Sequence, residues 1–418
     1  MTLAEAKRLL QRIVDSVQAA IDPAELLRPH LRALKARPYV VLGAGKASPA
    51  MARACAEELP QARGLVVAQH AAPGAAEIRI LAGAHPVPDD SSVAAAQEVL
   101  DLCRSTRSDD EILFVLSGGA SSLMAMPANG VALAEKQALT RRLLASGAGI
   151  HEINTVRKHL SGIKGGRLSA ATRARVRTFA LSDLPGDDPA AIGSGPTVPD
   201  TSTLDEAREI LERWNIAASP TVAAALADPR NETLKQEPSG LLRIFTLIGG
   251  PATAIEACRT SVEVEGYRPI VLGALSGEAK SVARGHAELA RSHAASGERV
   301  ALISGGELSV DLGEAAGGAG GRCREYLLAL AVALGPRIGG VCAAAWDTDG
   351  IDGAGDDAGA FLFADSLDRA SRIGMNVQDF LRAHRSGDFF SALGDAMEIG
   401  AQTTNVGDMR VVLVESVA

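Results

Sequence analysis

Leu9, Leu10, Ile13, Val14, Val17 and Ile21 recur at the spacing of one helix face, which predicts an amphipathic helix within residues 3–36. Past Pro38 the pattern changes. Tyr39–Leu42 is a short unbroken apolar run, and similar runs follow at Leu65–Ala68, Ile78–Leu81 and Ile112–Leu116. Ser91–Leu102 and Ala132–Leu144 carry apolar residues at helical spacing. Continuous Val, Ile and Leu runs separated by helices predict parallel strands buried on both faces. The expected fold class is therefore α/β, doubly wound, with largely parallel sheets.

A polar stretch, Asp228–Gly240, contains Pro229, Asn231, Pro238, Ser239 and Gly240 and reads as a linker. The α/β pattern restarts after it. Strands are expected at Leu241–Ile248, Pro269–Leu272, Val300–Ile303, Val341–Ala345, Phe361–Ala364 and Met409–Val414, with helices at Ala252–Glu263, Glu278–Ala295 and Tyr326–Leu334. This predicts two α/β domains, residues 1–235 and 236–418. The N-terminal helix can return to pack on the second.

Composition narrows the function classes. Lys plus Arg total 42 against 50 Asp plus Glu, and aromatics are 3%. That speaks against nucleic acid, which needs a basic footprint and stacking rings. No apolar run is long enough to span a membrane, and Thr2–Arg12 lacks the apolar core of a signal peptide. The five cysteines have neither CxxC nor zinc-ligand spacing and read as buried free thiols of a cytoplasmic protein. Glycine is in excess, 43 of 418 residues, against about 7% on average.

The glycines cluster at strand ends. Four turns share the design: Gly43-Ala44-Gly45-Lys46, Ser117-Gly118-Gly119-Ala120-Ser121, Gly249-Gly250 and Ser304-Gly305-Gly306. Glycine at the carboxyl end of a strand lets backbone N–H groups approach a phosphate. Repetition in both halves points to an anionic ligand between domains. The first turn is neither a dinucleotide fingerprint, because position 48 is Ser48, nor a Walker A loop, because position 40 is Val40. Lys46 is read as a cation for phosphate or carboxylate rather than a solvated surface lysine.

Other polar groups follow. Arg157 and Lys164 lie in the densest basic stretch and can face an anion, the alternative being a solvated helix face. Asp183 comes off a strand end and is either a catalytic carboxylate or metal ligand, or part of an Asx turn. Arg322 follows a glycine loop, Gly317–Gly321, and opens a helix, where a cation opposes the dipole unless an anion is present. Asp347, Asp349 and Asp352 follow an apolar strand and suit Mg²⁺ held jointly with nucleotide. The histidines form no HxxxH or HExxH pair, and there is no GxSxG motif, which speaks against a serine hydrolase.

In this order the segments Gly43–Ala47, His85–Asp89, Ser117–Ser122, Asn154–Leu168, Ser182–Thr197, Ser304–Glu307, Gly320–Glu325 and Asp347–Gly353 resemble the glycerate 2-kinase family, whose C-terminal domain is called MOFRL. Members are often labelled hydroxypyruvate reductase. The resemblance implies two α/β domains with an active-site cleft between them. It implies phosphorylation of D-glycerate to 2-phosphoglycerate with ATP and a divalent cation, expected to be Mg²⁺. The family's lysine matches Lys46 and its glycine-loop arginine matches Arg322. Where the family usually has Asn and Gln, this chain has Cys323 and Arg324. Under this reading the glycine turns cradle phosphates, Lys46 and Arg322 stabilise charge, and Asp183 accepts the hydroxyl proton. Arg157 and Lys164 then bind the substrate. The competing readings are an NAD(P)H-dependent hydroxypyruvate reductase, a kinase for a related hydroxy acid, and a non-catalytic binder of an acidic metabolite. Oligomeric state stays open, a homodimer being one option.

Overall fold

Thr2 opens the first helix, Leu3–Ala20, by a reciprocal cap: its Oγ1 accepts the Glu5 amide at 3.3 Å and its own amide donates to Glu5 Oε2 at 2.7 Å. Leu10, Ile13, Val14 and Val17 on the inner face are fully buried, worth roughly 1.5–3 kcal/mol each. The computed structural model describes residues 2–184, 186–237, 242–313, 318–335, 340–400, 402 and 404–415. Pro185, Gly317 and the Pro238–Gly240 end of the expected linker lie outside these residues.

The chain divides into two compact units, Pro23–Ile248, and Met1–Asp22 together with Gly249–Ala418. In the first, β1 (Val40–Ala44), β2 (Arg63–Ala68), β3 (Ala72–Ala75), β4 (Glu77–Ala82), β5 (Glu111–Leu116), β6 (Arg175–Leu181) and β7 (Arg243–Gly249) form one sheet in the order β3-β4-β2-β1-β5-β6-β7. The β1–β2, β1–β5, β2–β4 and β5–β6 pairs are parallel, and β3 runs antiparallel to β4. The unbroken apolar runs of β1 and β5 are buried along their whole length. Helix Asp90–Ser105 lays Ala95, Ala96, Val99 and Leu100 onto this sheet's core beside Leu42 and Phe114.

Two expectations about the boundary change. The division falls after Ile248 rather than at 235, because the apolar run ending there is β7, the last strand of the first sheet. The Val176 amide donates to Leu242 O at 3.0 Å just ahead of it. The polar stretch after Asp228 is fastened down rather than a free linker. Glu232 bonds His159 Nε2 at 2.9 Å and the Leu204 amide at 3.1 Å, and the Leu234 amide donates to Gly165 O at 2.9 Å. Its polar composition serves side-chain bonding within the unit.

In the second unit the strands are β8 (Arg268–Ala274), β9 (Gly277–Glu278), β10 (Val300–Gly305), β11 (Leu308–Ser309), β12 (Val341–Asp347), β13 (Gly359–Leu362), β14 (Ala396–Met397) and β15 (Asp408–Val414). Six form a sheet in the order β14-β13-β12-β15-β10-β8, and β9 pairs with β11. β8 and β10 are parallel. β15 inserts between β10 and β12, antiparallel to both. The N-terminal helix packs against helix Pro251–Val264 of this unit, and Arg12 forms a two-pronged ion pair with Glu265 at 2.8 and 2.9 Å. Helix Arg322–Leu334 fills the core with Tyr326, Leu327, Leu328 and Leu330. Among the described residues no helix is long and apolar enough to cross a membrane. All five cysteines are free and buried.

Candidate active site

The unit Pro23–Ile248 presents one constellation at the ends of β1 and β5. A Cβ on Gly43 would lie 2.0 Å from Val115 O, and one on Gly45, with φ +138°, 2.0 Å from Ser117 Oγ. These glycines are required by the close approach of the two strand ends. Their turn is not an open phosphate cradle. The Gly45 amide donates to Val67 O at 3.1 Å, Lys46 to Gly118 O at 2.9 Å and Ala47 to Ser117 Oγ at 2.9 Å. This corrects the phosphate-binding role expected of Gly43, Gly45 and Ser117. What the bonding achieves is to fix the backbone of Lys46. Among the described residues, the amides of Gly118 and Gly119 donate to no protein acceptor.

Ser121, expected at a phosphate, instead organises cations. Its Oγ accepts from Lys164 Nζ at 2.7 Å and Arg157 Nη2 at 2.8 Å, and lies 2.9 Å from Ser194 Oγ. With both lone pairs taken, its O–H is left to donate to Ser194. Lys164 also donates to Ser121 O at 2.8 Å. Lys164 is buried, and burial followed by the nearby Arg157 and Lys136 holds it well below the usual lysine range. Arg157 is lowered by burial as well. Lys158 turns away to Asp200 at 2.5 Å. Asp183 is half-buried just past β6, where Ser182 closes the turn by accepting the Leu184 amide at 3.2 Å.

The second unit carries the other constellation, around Arg322. Its Nε reaches both oxygens of Asp408 at 2.8 and 2.9 Å, and its Nη2 reaches Glu307 and Asp347 at 2.7 Å each. Burial works against the guanidinium charge, and Asp408, Glu307 and Asp347 outweigh it, so its pKa is raised. Asp347 is pushed up to about 8, by burial first and then by Asp408 and Asp349. Its Oδ1 accepts the Asp349 amide at 3.1 Å.

Asp352 does not join this group. Its Oδ1 accepts the Cys323 amide at 3.0 Å, and its Oδ2 accepts the Arg324 amide at 3.0 Å and Arg324 Nε at 3.1 Å. It is the anion at the N-terminus of helix Arg322–Leu334, supplied from within the chain. A Cβ on Gly321 would meet Asp352 O and Oδ1 at 2.2 Å, which is why the loop before the helix is glycine. The expected cation site of Asp347, Asp349 and Asp352 is therefore corrected to at most the first two. Among the described residues no three His, Cys, Asp or Glu side chains are grouped to hold a metal. Arg324 is buried against Asp352 and Asp357 at 3.1 and 3.0 Å and ties down the 352–357 loop.

The remaining glycine turns are also occupied. The Gly250 amide, following Gly249 at the end of β7, donates to Thr253 Oγ1 at 3.1 Å and so caps helix Pro251–Val264. Ser304 Oγ accepts Arg410 Nε at 3.0 Å, and Arg410 Nη2 donates to Gly305 O and, at 2.9 Å, to Gly306 O. Gly250 and Ser304, expected at a phosphate, are thus engaged in internal bonding, and Gly305 and Gly306 offer carbonyls to an arginine. Asp408 and Arg410, both buried, escaped the sequence reading. Their signal was present as two charges at alternate positions of an otherwise apolar strand.

Residues 9–227 match the family described as a domain of unknown function, DUF4147, and residues 300–408 match the MOFRL family. The chain is 43% identical over 420 residues to a protein of Agrobacterium vitis provisionally named a hydroxypyruvate reductase, covering 98% of this chain and 94% of that one. It is 33% identical over 419 residues to the D-glycerate 2-kinase of Thermotoga maritima, covering 98% of each. The crystal structure of a Thermotoga maritima glycerate kinase superposes with a TM-score of 0.89 at 33% identity, covering 98% of this chain and all of that one. With both family matches in chain order and kinases related along its full length, the chain belongs to the DUF4147–MOFRL family that includes the glycerate 2-kinases.

Proposed function

We propose that the chain transfers the γ-phosphoryl group of ATP to the 2-hydroxyl of D-glycerate, giving ADP and 2-phosphoglycerate, in the cytoplasm. The observation that carries this is the full-length similarity to the Thermotoga maritima D-glycerate 2-kinase. In such a reaction the O–P bond to ADP breaks as the hydroxyl oxygen bonds phosphorus, and the hydroxyl proton must go to a base. Catalysis is chiefly positioning and charge stabilisation. Lys46, on its fixed backbone, and Arg322 are assigned the charge stabilisation. Asp183 is assigned the proton, Gly118 and Gly119 amide contacts to phosphate, and Arg157 and Lys164 the anionic end of the acceptor. Asp347 and Asp349 fit a Mg²⁺ that draws its other ligands from phosphates and water. Asp408 and Asp349 lie close enough to add negative charge around Asp347, which such an ion would offset. When bound it would neutralise charge on the phosphates.

The hydroxypyruvate reductase name of the Agrobacterium vitis relative supports a second reading. It is disfavoured because a dinucleotide needs free amides in the turn after β1, and here those of Gly45, Lys46 and Ala47 are already bonded. The test is direct. D-glycerate with MgATP should yield ADP and a product whose phosphorus couples to the C2 proton by NMR. NADH oxidation with hydroxypyruvate and no ADP from glycerate would reject the kinase.

A further inference from the structure

Lys136, which sequence analysis passed over, stands with Arg157 and Ser121 on the wall of a cavity of about 140 Å³ closed on another side by Pro86 and Val87. It is buried in helix Leu133–Ser146, and its Nζ donates to Leu160 O at 2.7 Å. Burial first, then Arg157 and Arg167, holds it well below the usual lysine range. Lys164 lies directly behind Ser121. Among the described residues none of Lys136, Arg157 and Lys164 forms an ion pair with a carboxylate. Their protein acceptors are Leu160 O, the two Ser121 oxygens and, at 3.5 Å, Asn154 Oδ1. Three cations therefore share a few neutral acceptors, and most of their N–H groups remain unspent. Buried charge without a counter-charge is costly. Lys136 and Arg157 on the wall of one small cavity, with Lys164 behind Ser121, suit a ligand that brings the negative charge and so favours their charged forms.

The cavity volume limits the ligand. It suits a carboxylate on a three-carbon chain and is too small for a nucleotide. We infer that Lys136, Arg157 and Lys164 form the receptor for the carboxylate of the small hydroxy acid, with Lys136 as a third binding cation at the cavity wall. This rests on the kinase reading for the identity of the acid and not for the existence of the anion site. The carboxylate would take N–H bonds from Lys136 and Arg157, while Lys164 holds Ser121 and adds charge from behind.

The test is Lys136→Met in the full-length chain, with Lys136→Arg beside it. A lost charge-assisted bond predicts a rise in KM for D-glycerate of roughly 10- to 100-fold. KM for ATP should stay within twofold, and Lys136→Arg should recover most of the glycerate affinity. Removing an uncompensated buried charge should leave the melting temperature unchanged or raised. A residue holding only structure would lower it and move both KM values. A glycerate KM within threefold of the parent would overturn the inference, as would an equal rise for ATP. If no glycerate is phosphorylated at all, calorimetric titration of D-glycerate without nucleotide separates the two failures. Binding by the parent and not by Lys136→Met keeps the anion site while the kinase reading falls. Absence of binding by the parent overturns the site.

Discussion

Asp352 distinguishes a metal ligand from a helix anchor, and one substitution separates the two. In Asp352→Asn the side chain keeps its shape, but its amide nitrogen must face a donor, either the Cys323 amide or the Arg324 amide and Nε now 3.0–3.1 Å from the carboxylate. A lost N-terminal cap bond costs about 1 kcal/mol. Breaking a buried ion pair costs about 3–5 kcal/mol, lessened here because Asp357 still holds Arg324 at 3.0 Å. The sum is about 3 kcal/mol against the unit built on Gly249–Ala418. For a unit of this size that lowers the melting temperature by roughly 6–12 °C. Scanning calorimetry of the full-length chain measures it, and the Mg²⁺ concentration for half-maximal turnover is measured alongside. The anchor predicts the thermal loss with an unchanged Mg²⁺ requirement. A melting temperature within about 2 °C of the parent, with a tenfold higher Mg²⁺ requirement, would refute the reasoning and return Asp352 to the cation.

Three further outcomes follow from the geometry. Lys46→Ala should lower kcat on the order of 10²–10³; near-normal turnover would remove Lys46 from the chemistry. Gly45→Ala places a Cβ 2.0 Å from Ser117 Oγ at φ +138° and should cost roughly 2–3 kcal/mol, read from the urea midpoint; a loss below about 0.5 kcal/mol would contradict the close approach. Burial pushes His286 down from 6.5 to about 4, so the unfolded chain binds its proton first. Its contribution is present above pH 6.5 and lost as pH falls towards 4, about 3 kcal/mol in all. His286→Gln should flatten that acid slope, and equal slopes in parent and variant would show the proton is bound alike in both states.

The strands of the first sheet were readable because β1 and β5 are unbroken apolar runs, and a parallel central strand demands such a run. Strand direction in the second sheet was not readable. β15 has the same apolar character as a parallel strand, and nothing local to it states that it enters antiparallel between β10 and β12. The glycine turns were located correctly, but the purpose of Gly43 and Gly45 was not. Glycine at a strand end fits a phosphate approach and a backbone approach equally, and Val115 O beside Gly43 is visible only in three dimensions. Arg322 was legible from its loop and helix. The anion that offsets its helix was not, because Asp352 lies 30 residues further along the chain. Lys136 was hidden in an ordinary amphipathic helix, where a lysine normally faces water.

The two constellations carry opposite charge surpluses, and this bears on how the substrates are handled. Arg322 and Arg410 are faced by Asp347, Asp408 and Glu307, with Asp349 adding to the field on Asp347. A triphosphate brought to that group would meet carboxylates, and each like-charge pair at about 4 Å opposes it by about 4 kcal/mol at an effective dielectric of 20. Approach is favourable only when a cation arrives with the nucleotide. The Lys136, Arg157 and Lys164 group has the reverse need: it has no carboxylate partner among the described residues and, on the inference above, would take a bare anion. On the reading proposed above, the Arg322 group would suit a nucleotide already paired with its metal, and the Lys136 group an acid with no metal. A reaction that must join two anions is served by such a division, because each negative partner meets its own source of positive charge.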